Sequence, residues 1–306
     1  MPAAVERILL ISLSNIGDAV MTTPVLETLH QAWPGARIDI VGDRRSALIF
    51  EHCPYRGEII LKHKREGRPG LWRLIRRLRG QRYDLIVDLR TDGLAYLLRG
   101  RKRLHKWRQP RRGVHAVEQH MNVLRPLGLD KHEARTRVWL NDELREQAAA
   151  LLEPLPGSRW LAVGPGANWE GKIWPLAAYQ GLCRLAAAQF HGLIILGGPD
   201  DQAIATRLET HSELPTANLC GQTDLLQVSA VLERARAFVG NDSGLGHLAS
   251  AVATPSLTVF GPGEPQRYHP WGPQAAWIVA ADQDLECLTA AEVYAALEEL
   301  IARTPA

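Results

Sequence analysis

Residues 235–262 read ARAFVGNDSGLGHLASAVATPSLTVFGP. A short apolar strand leads into the polar turn Gly240-Asn241-Asp242-Ser243-Gly244. A helix of small residues follows, then a second apolar strand ending in Gly261 and Pro262. Strand, turn, helix and strand in this order is the repeating unit of a parallel α/β sheet. In such sheets ligands bind where strand carboxyl ends and helix amino ends converge. The open N–H groups of a first helical turn, at the positive end of the helix dipole, favour an anion there. His247 follows Ser243 by four positions, which on a helix puts both on one side. The plainer alternative makes Asp242 or Ser243 an ordinary N-cap and His247 a helix-surface residue.

Working back from this segment, residues 225–234 read as a helix, 192–196 as a strand ending in Gly197-Gly198-Pro199-Asp200-Asp201, and 160–163 as a strand before Gly164-Pro165-Gly166-Ala167-Asn168. Pro175 is placed as a first helical residue. Towards the end, 277–279 is a strand and 290–303 an amphipathic helix. The N-terminal half repeats the alternation. Strands are expected over 7–14, 36–41, 58–61 and 83–89, and helices after Asp18, over 71–82, from 116 to 127 and over 142–152. Pro24 marks a helix start or a kink. Strands alternating with helices indicate a doubly wound parallel sheet in each half. A length of 306 residues fits two domains of roughly 150 residues each. Glu153-Pro154-Leu155-Pro156-Gly157-Ser158 is the linker candidate, giving domains 1–152 and 153–306.

No apolar run reaches the about 18 residues of a membrane span. The N-terminus reads as a first strand, not a signal peptide. The four cysteines are scattered, without CxxC or metal-ligand spacing, so a reducing, cytoplasmic compartment is expected. The formal net charge of +3 hides an asymmetry. Residues 1–150 hold 28 Lys and Arg against 17 Asp and Glu, a net +11, and residues 151–306 hold 8 against 16, a net −8. Two halves of opposite sign point to different partners, the basic one anionic.

Three glycine-rich or polar turns of the C-terminal half follow strands, so in a parallel sheet they share one edge. Glycine lets a phosphate approach the backbone. Lys172, the only Lys of residues 151–306, is the natural cation for a diphosphate. Asp242 would repel those phosphates, which assigns it to capping or to sugar hydroxyls. Neither GxGxxG nor a Walker loop is present. In the N-terminal half, Asp18 after the first strand is either a helix cap or a general base kept ionised by a helix terminus. The basic stretches 62–82 and 99–112 form a binding surface or merely solvated faces. The stretch 99–115 carries eight Lys or Arg in seventeen residues. Sparse aromatic interleaving and the lack of a nucleic-acid module favour an anionic glycolipid at a membrane surface over nucleic acid.

Ser14-Asn15-Ile16-Gly17-Asp18-Ala19-Val20 with Thr23-Pro24, Gly166-Ala167 with Lys172-x-Trp174-Pro175, and Asn241-Asp242-Ser243-Gly244 with His247-Leu248-Ala249 resemble, in order, three motifs of the glycosyltransferase family 9 heptosyltransferases. The resemblance implies a GT-B fold: two Rossmann-like domains with parallel sheets facing a central cleft, and a last helix packing back on the first domain. It implies inverting, metal-independent transfer of heptose from ADP-heptose to the lipopolysaccharide inner core, with no cofactor beyond the ADP-sugar substrate. Asp18 would be the base. Ser14, Gly17, Gly166, Ala167, Lys172, Asp242, Ser243, Gly244 and His247 would bind the donor. The basic residues Lys62, Lys64, Arg65, Arg68, Arg103 and Lys106 would meet an anionic Kdo–lipid A acceptor. The expected protein is a monomer, peripheral on the cytoplasmic face of the inner membrane. The basic stretches match no subgroup motif, so another nucleotide sugar, another acceptor, or a non-catalytic nucleotide-sugar or anionic-glycan binding protein stay open alternatives.

Overall fold

The structure, a computed structural model, describes residues 5–62, 66–90, 93–108, 112–130 and 135–304. The chain divides into two compact units, Met1–Trp139 and Leu140–Ala306. The first runs β1 (Arg7–Ile11), α1 (Ile16–Val20), α2 (Thr23–Ala32), β2 (Arg37–Gly42), β3 (Arg56–Leu61), α3 (Gly67–Arg79), β4 (Tyr83–Asp88), β5 (Gly100–His105) and α4 (Ala116–Met121). Its strands are parallel throughout, in the order β3-β2-β1-β4-β5. β1 is central and buried on both faces, which is why its sequence is continuously apolar and does not alternate. Pro24 falls in the first turn of α2, where a missing N–H breaks no helix bond. Asp39 is buried in mid-strand, yet its Oδ1 is satisfied. The β2–β3 ladder shifts there, and Glu58 N–H (2.8 Å) and Arg37 Nε (2.9 Å) both donate to it.

The basic stretch 99–112 differs from its reading as a binding segment alone, because it contains β5. This is an edge strand with Arg101 and Lys102 exposed and Leu104 and His105 buried. Charged side chains on an edge strand discourage unwanted pairing, and they erase the apolar alternation by which a strand is recognised.

The second unit runs α5 (Asp142–Leu152), β6 (Trp160–Gly164), α6 (Leu176–Ala186), β7 (Gly192–Ile195), α7 (Gln202–Thr210), β8 (Thr216–Asn218), α8 (Leu225–Arg234), β9 (Ala237–Asn241), α9 (Gly244–Ala251), β10 (Ser256–Phe260), α10 (Pro265–Tyr268), β11 (Ala275–Val279) and α11 (Ala290–Arg303). Its parallel sheet has the order β11-β10-β9-β6-β7-β8. Counted from β6, this is the 3-2-1-4-5-6 order of dinucleotide-binding folds, with its switch point between β6 and β9. α5 belongs to this unit: it packs on α8, buries Leu144, Ala148 and Leu152, and pairs Arg145 with Glu233 (2.8 Å). The Pro-rich stretch after α5 therefore lies inside the unit, with Leu155 buried.

α11 contributes Val293, Leu297 and Leu300 to a core shared with Tyr179, Leu182 and Cys183 of α6. All four cysteines are free, and burial pushes the thiols of Cys183 and Cys220 up to about 12. No described helix is long and apolar enough to cross a membrane.

Leu297 is fully buried, so Leu297→Ala is expected to destabilise the second unit by about 2–5 kcal/mol. Urea titration of the full chain checks this; an unchanged midpoint would mean that α11 does not carry this core.

Candidate functional site

The second unit's site is built around one buried amide. Asn241 ends β9, beside β6 at the switch point, and is fully buried. Its Oδ1 accepts from Trp174 N–H (3.0 Å) and lies 3.0 Å from the Tyr179 hydroxyl; its Nδ2 donates to Pro165 O (2.8 Å) and Gly166 O (3.2 Å). Both lone pairs and both hydrogens of the amide are thus engaged. The Tyr179 hydroxyl also lies 3.1 Å from Gly164 O, sharing its single proton between two acceptors. Trp174 stacks edge-on against Tyr179 and donates its indole N–H to Leu288 O (2.9 Å). Burial pushes the Tyr179 phenol far above its ordinary value, so it stays a neutral donor. These bonds tie the loop after β6, the start of α6 and the end of β9 into one frame.

Lys172 and Asp242 flank that frame. The Lys172 ammonium is hydrogen-bonded to Asp242 Oδ2, a contact between residues 70 positions apart. Asp242 therefore does not cap α9. Ser243 stands at the N-cap position in extended backbone, but no side chain caps the helix. The Ser243 hydroxyl is buried without a hydrogen-bond partner among the described residues. His247 is buried, not on the helix surface. The first-turn N–H groups of an eight-residue helix are left facing the sheet edge beside a lysine.

All three expected turns do share this edge, since β6, β7 and β9 are parallel neighbours. They also pack on each other: a methyl group on Gly166 would collide with the Asp201 carboxylate, which accepts from Gly198 N–H (2.8 Å). At the opposite edge, where β9, β10 and β11 begin, a cavity of about 460 Å³ is lined by Arg236, Thr254, Gln274 and Arg303. The Arg236 guanidinium there is committed to the carbonyls of Ile301 and Thr304 at the end of α11.

In the first unit, Asp18 lies in the opening turn of α1, and Asn15 Nδ2 donates to its Oδ2 (3.0 Å). This loop follows β1, at that sheet's own switch point between β1 and β4. Ser14 and Gly17 lie in the same loop and helix start. Two further polar pairs at this edge were missed from sequence. Arg90, after β4, pairs with Asp43, after β2 (3.4 Å). At the ends of β4 and β5, His105 Nδ1 is 3.8 Å from Asp88 Oδ2, and the imidazole stacks on Tyr96. An acid or base closing an apolar strand was the available signal.

Of the basic residues, Lys62 extends the β2–β3 ladder through its backbone, and Arg68 is exposed on α3. Arg103 is committed to Ala95 O and Leu98 O (3.0 and 2.7 Å). Lys106 follows β5. Lys64 and Arg65 lie outside the described residues. Among the described residues no group of three or more His, Cys, Asp or Glu is placed to hold a metal ion.

Asn241→Asp keeps the shape of the amide but removes both donors and buries a charge. It is expected to lower stability by about 2–4 kcal/mol in urea titration, and a neutral result would remove Asn241 from its central place. His105 carries a pH signature. Burial, outweighing the nearby Asp88, holds its folded pKa below the ordinary 6.5. The unfolded chain then binds the proton more readily, so stability is intact above pH 6.5 and falls as the pH drops towards the folded value. His105→Gln should flatten this acid limb of the urea midpoint.

A sequence model of glycosyltransferase family 9 (heptosyltransferase) matches residues 92–297. The chain is 30% identical to lipopolysaccharide heptosyltransferase 1 of Pseudomonas aeruginosa, covering 85% of this chain and 79% of that protein. It is 26% identical to lipopolysaccharide heptosyltransferase 3 of Escherichia coli, covering 93% and 96%. Among solved structures, a family 9 glycosyl transferase from Veillonella parvula superposes with a TM-score of 0.87 at 22% identity, covering 99% of both chains. An Escherichia coli heptosyltransferase solved with ADP superposes with a TM-score of 0.80 at 24% identity, covering 96% of this chain and 99% of that one. Together with the two parallel sheets, these likenesses show the GT-B fold.

Proposed function

The chain belongs to glycosyltransferase family 9, the heptosyltransferase family, and from that premise we propose that it transfers heptose from ADP-heptose to the inner core of lipopolysaccharide. The reaction is inverting and uses no metal ion. The names of the relatives support the sugar and the acceptor, and the ADP-bound neighbour supports the nucleotide. The observation that carries the reading is the β6/β9 edge, where Lys172, Asp242, the buried Ser243 hydroxyl and an uncapped helix start converge on the frame of Asn241.

The diphosphate lies against the backbone at Gly166 and Ala167 and the first turn of α9 at Gly244, where N–H groups and the helix dipole meet its charge. Lys172 exchanges its bond to Asp242 for a phosphate oxygen. Asp242, released, accepts from the sugar hydroxyls, and Ser243 and His247 complete the donor contacts. As the anomeric C–O bond to phosphate breaks, negative charge grows on the departing ADP, and Lys172 and the helix start stabilise it without reorganisation.

Asp18, with one oxygen held by Asn15, takes the proton of the acceptor hydroxyl as that oxygen bonds to the anomeric carbon. A single displacement inverts the configuration and forms no covalent enzyme intermediate. The basic residues of the first unit, Lys62, Lys64, Arg65, Arg68 and Lys106 among them, attract the anionic acceptor. The protein works as a monomer on the cytoplasmic face of the inner membrane.

Mass analysis of products from ADP-heptose and a panel of truncated core acceptors tests the reaction. Asp18→Ala is expected to lower turnover by about 10²–10⁴-fold while ADP-heptose affinity stays near wild type. Lys172→Ala should lower kcat by about 10²–10³-fold. Wild-type turnover in the Asp18 variant would overturn its role as base, and absence of any heptosylated product would overturn the reaction.

A further inference from the structure

Six of the ten large apolar side chains exposed among the described residues are Leu71, Trp72, Tyr96, Leu97, Trp107 and Val114, all within one stretch of the first unit. Exposed arginines accompany them on α3. On α3, Arg68, Trp72, Arg76 and Arg79 recur at i, i+4, i+8 and i+11, a single stripe on a helix. Trp72 is 65% exposed, and the three arginines of the stripe make no ion pair among the described residues. Arg73 and Arg77, on another face, are instead paired with Glu66 and Glu58.

The turn Leu94–Leu97 packs beside α3, its Leu94 and Ala95 in one apolar cluster with Leu74, Ile75 and Leu78. It therefore brings exposed Tyr96 and Leu97 up to the helix. β5, the neighbouring edge strand, carries exposed Arg101 and Lys102, which point to opposite faces of the sheet.

We infer that this face, with α3 at its centre, is a docking surface for a bilayer containing anionic phospholipid. The apolar face of α3 is buried through Leu74, Ile75 and Leu78, so its outer face meets the headgroups, with Trp72 in line with Arg68, Arg76 and Arg79 and Leu71 beside them; arginine pairs with lipid phosphate and Trp favours the interface. Aliphatic side chains such as Leu71 and Leu97 gain from lipid but give a nucleobase no face to stack on, which favours a membrane over single-stranded nucleic acid. Arginine stems extend along apolar surface while their heads reach phosphate. The inference rests on the proposed function only in giving the enzyme a reason to be at a membrane; the surface itself needs no particular acceptor.

Co-sedimentation with phosphatidylcholine vesicles, with and without phosphatidylglycerol and free of any glycolipid, tests it. Wild type should bind only the anionic vesicles, and less as salt rises. Arg76→Gln with Arg79→Gln should weaken binding by about 30-fold, at about fivefold per charge. Trp72→Ser should weaken it by about tenfold. Leu185→Ser, at an exposed site on α6 of the other unit, should change nothing. All these side chains are exposed, so urea midpoints should match wild type. Equal binding by wild type and the α3 variants, or RNA binding without vesicle binding, would overturn the surface. Vesicle binding that responds to α3, together with no heptosyl transfer, would sustain the surface and count against the proposed reaction alone.

Discussion

The β6/β9 edge of this protein depends on the Asn241 amide. A buried side-chain amide is tolerable only when its hydrogen-bonding groups are met. Here they are met by four different places: Trp174 and Tyr179 on one side, Pro165 and Gly166 on the other. Because the partners belong to the loop after β6, the approach to α6 and α6 itself, the amide sets the spacing of these segments. Trp174 is two residues from Lys172, Gly166 lies in the turn after β6, and Asp242 is the next residue along the chain. An apolar residue at this position would leave the Trp174 N–H and the turn carbonyls to find water in a place that excludes it. The polar centre therefore acts as a gauge for the site, and the apolar cores on either side supply the stability.

The Lys172–Asp242 pair is a second device at the same edge. It keeps a lysine and a carboxylate mutually neutralised at a partly buried position, and a diphosphate can enter by exchanging one anionic partner of the lysine for another. The first unit is built differently. Its edge holds carboxylates backed by bases, Asp43 with Arg90 and Asp88 with His105, beside the Asn15–Asp18 contact.

Much of this was legible in residues 235–262. The apolar runs on either side of the polar turn are β9 and β10, the small residues between them are α9, and 290–303 is α11 to the residue. Long apolar periodicities and glycine-marked strand ends are local signals, and local signals survive in a sequence. Three things did not. The Lys172–Asp242 bond joins residues far apart in the chain, and like reasoning about phosphates had kept the two separate. Asn241 looked like one more polar turn residue, because nothing local says that a strand-end amide is buried. β5 carries the charges of an edge strand instead of the alternation of a half-buried one, so it read as a basic segment. In each case the missing information was tertiary.

The central claim is that ADP binds at the β6/β9 edge of the second unit. A crystal structure of the protein with ADP tests it most directly. The account predicts pyrophosphate density against the backbone of Gly166 and Ala167 and the start of α9, with Lys172 Nζ on a phosphate oxygen and off Asp242. Nucleotide density elsewhere, for instance in the cavity lined by Arg236 and Arg303 at the opposite edge, or Lys172 still bound to Asp242 with ADP in place, would contradict it.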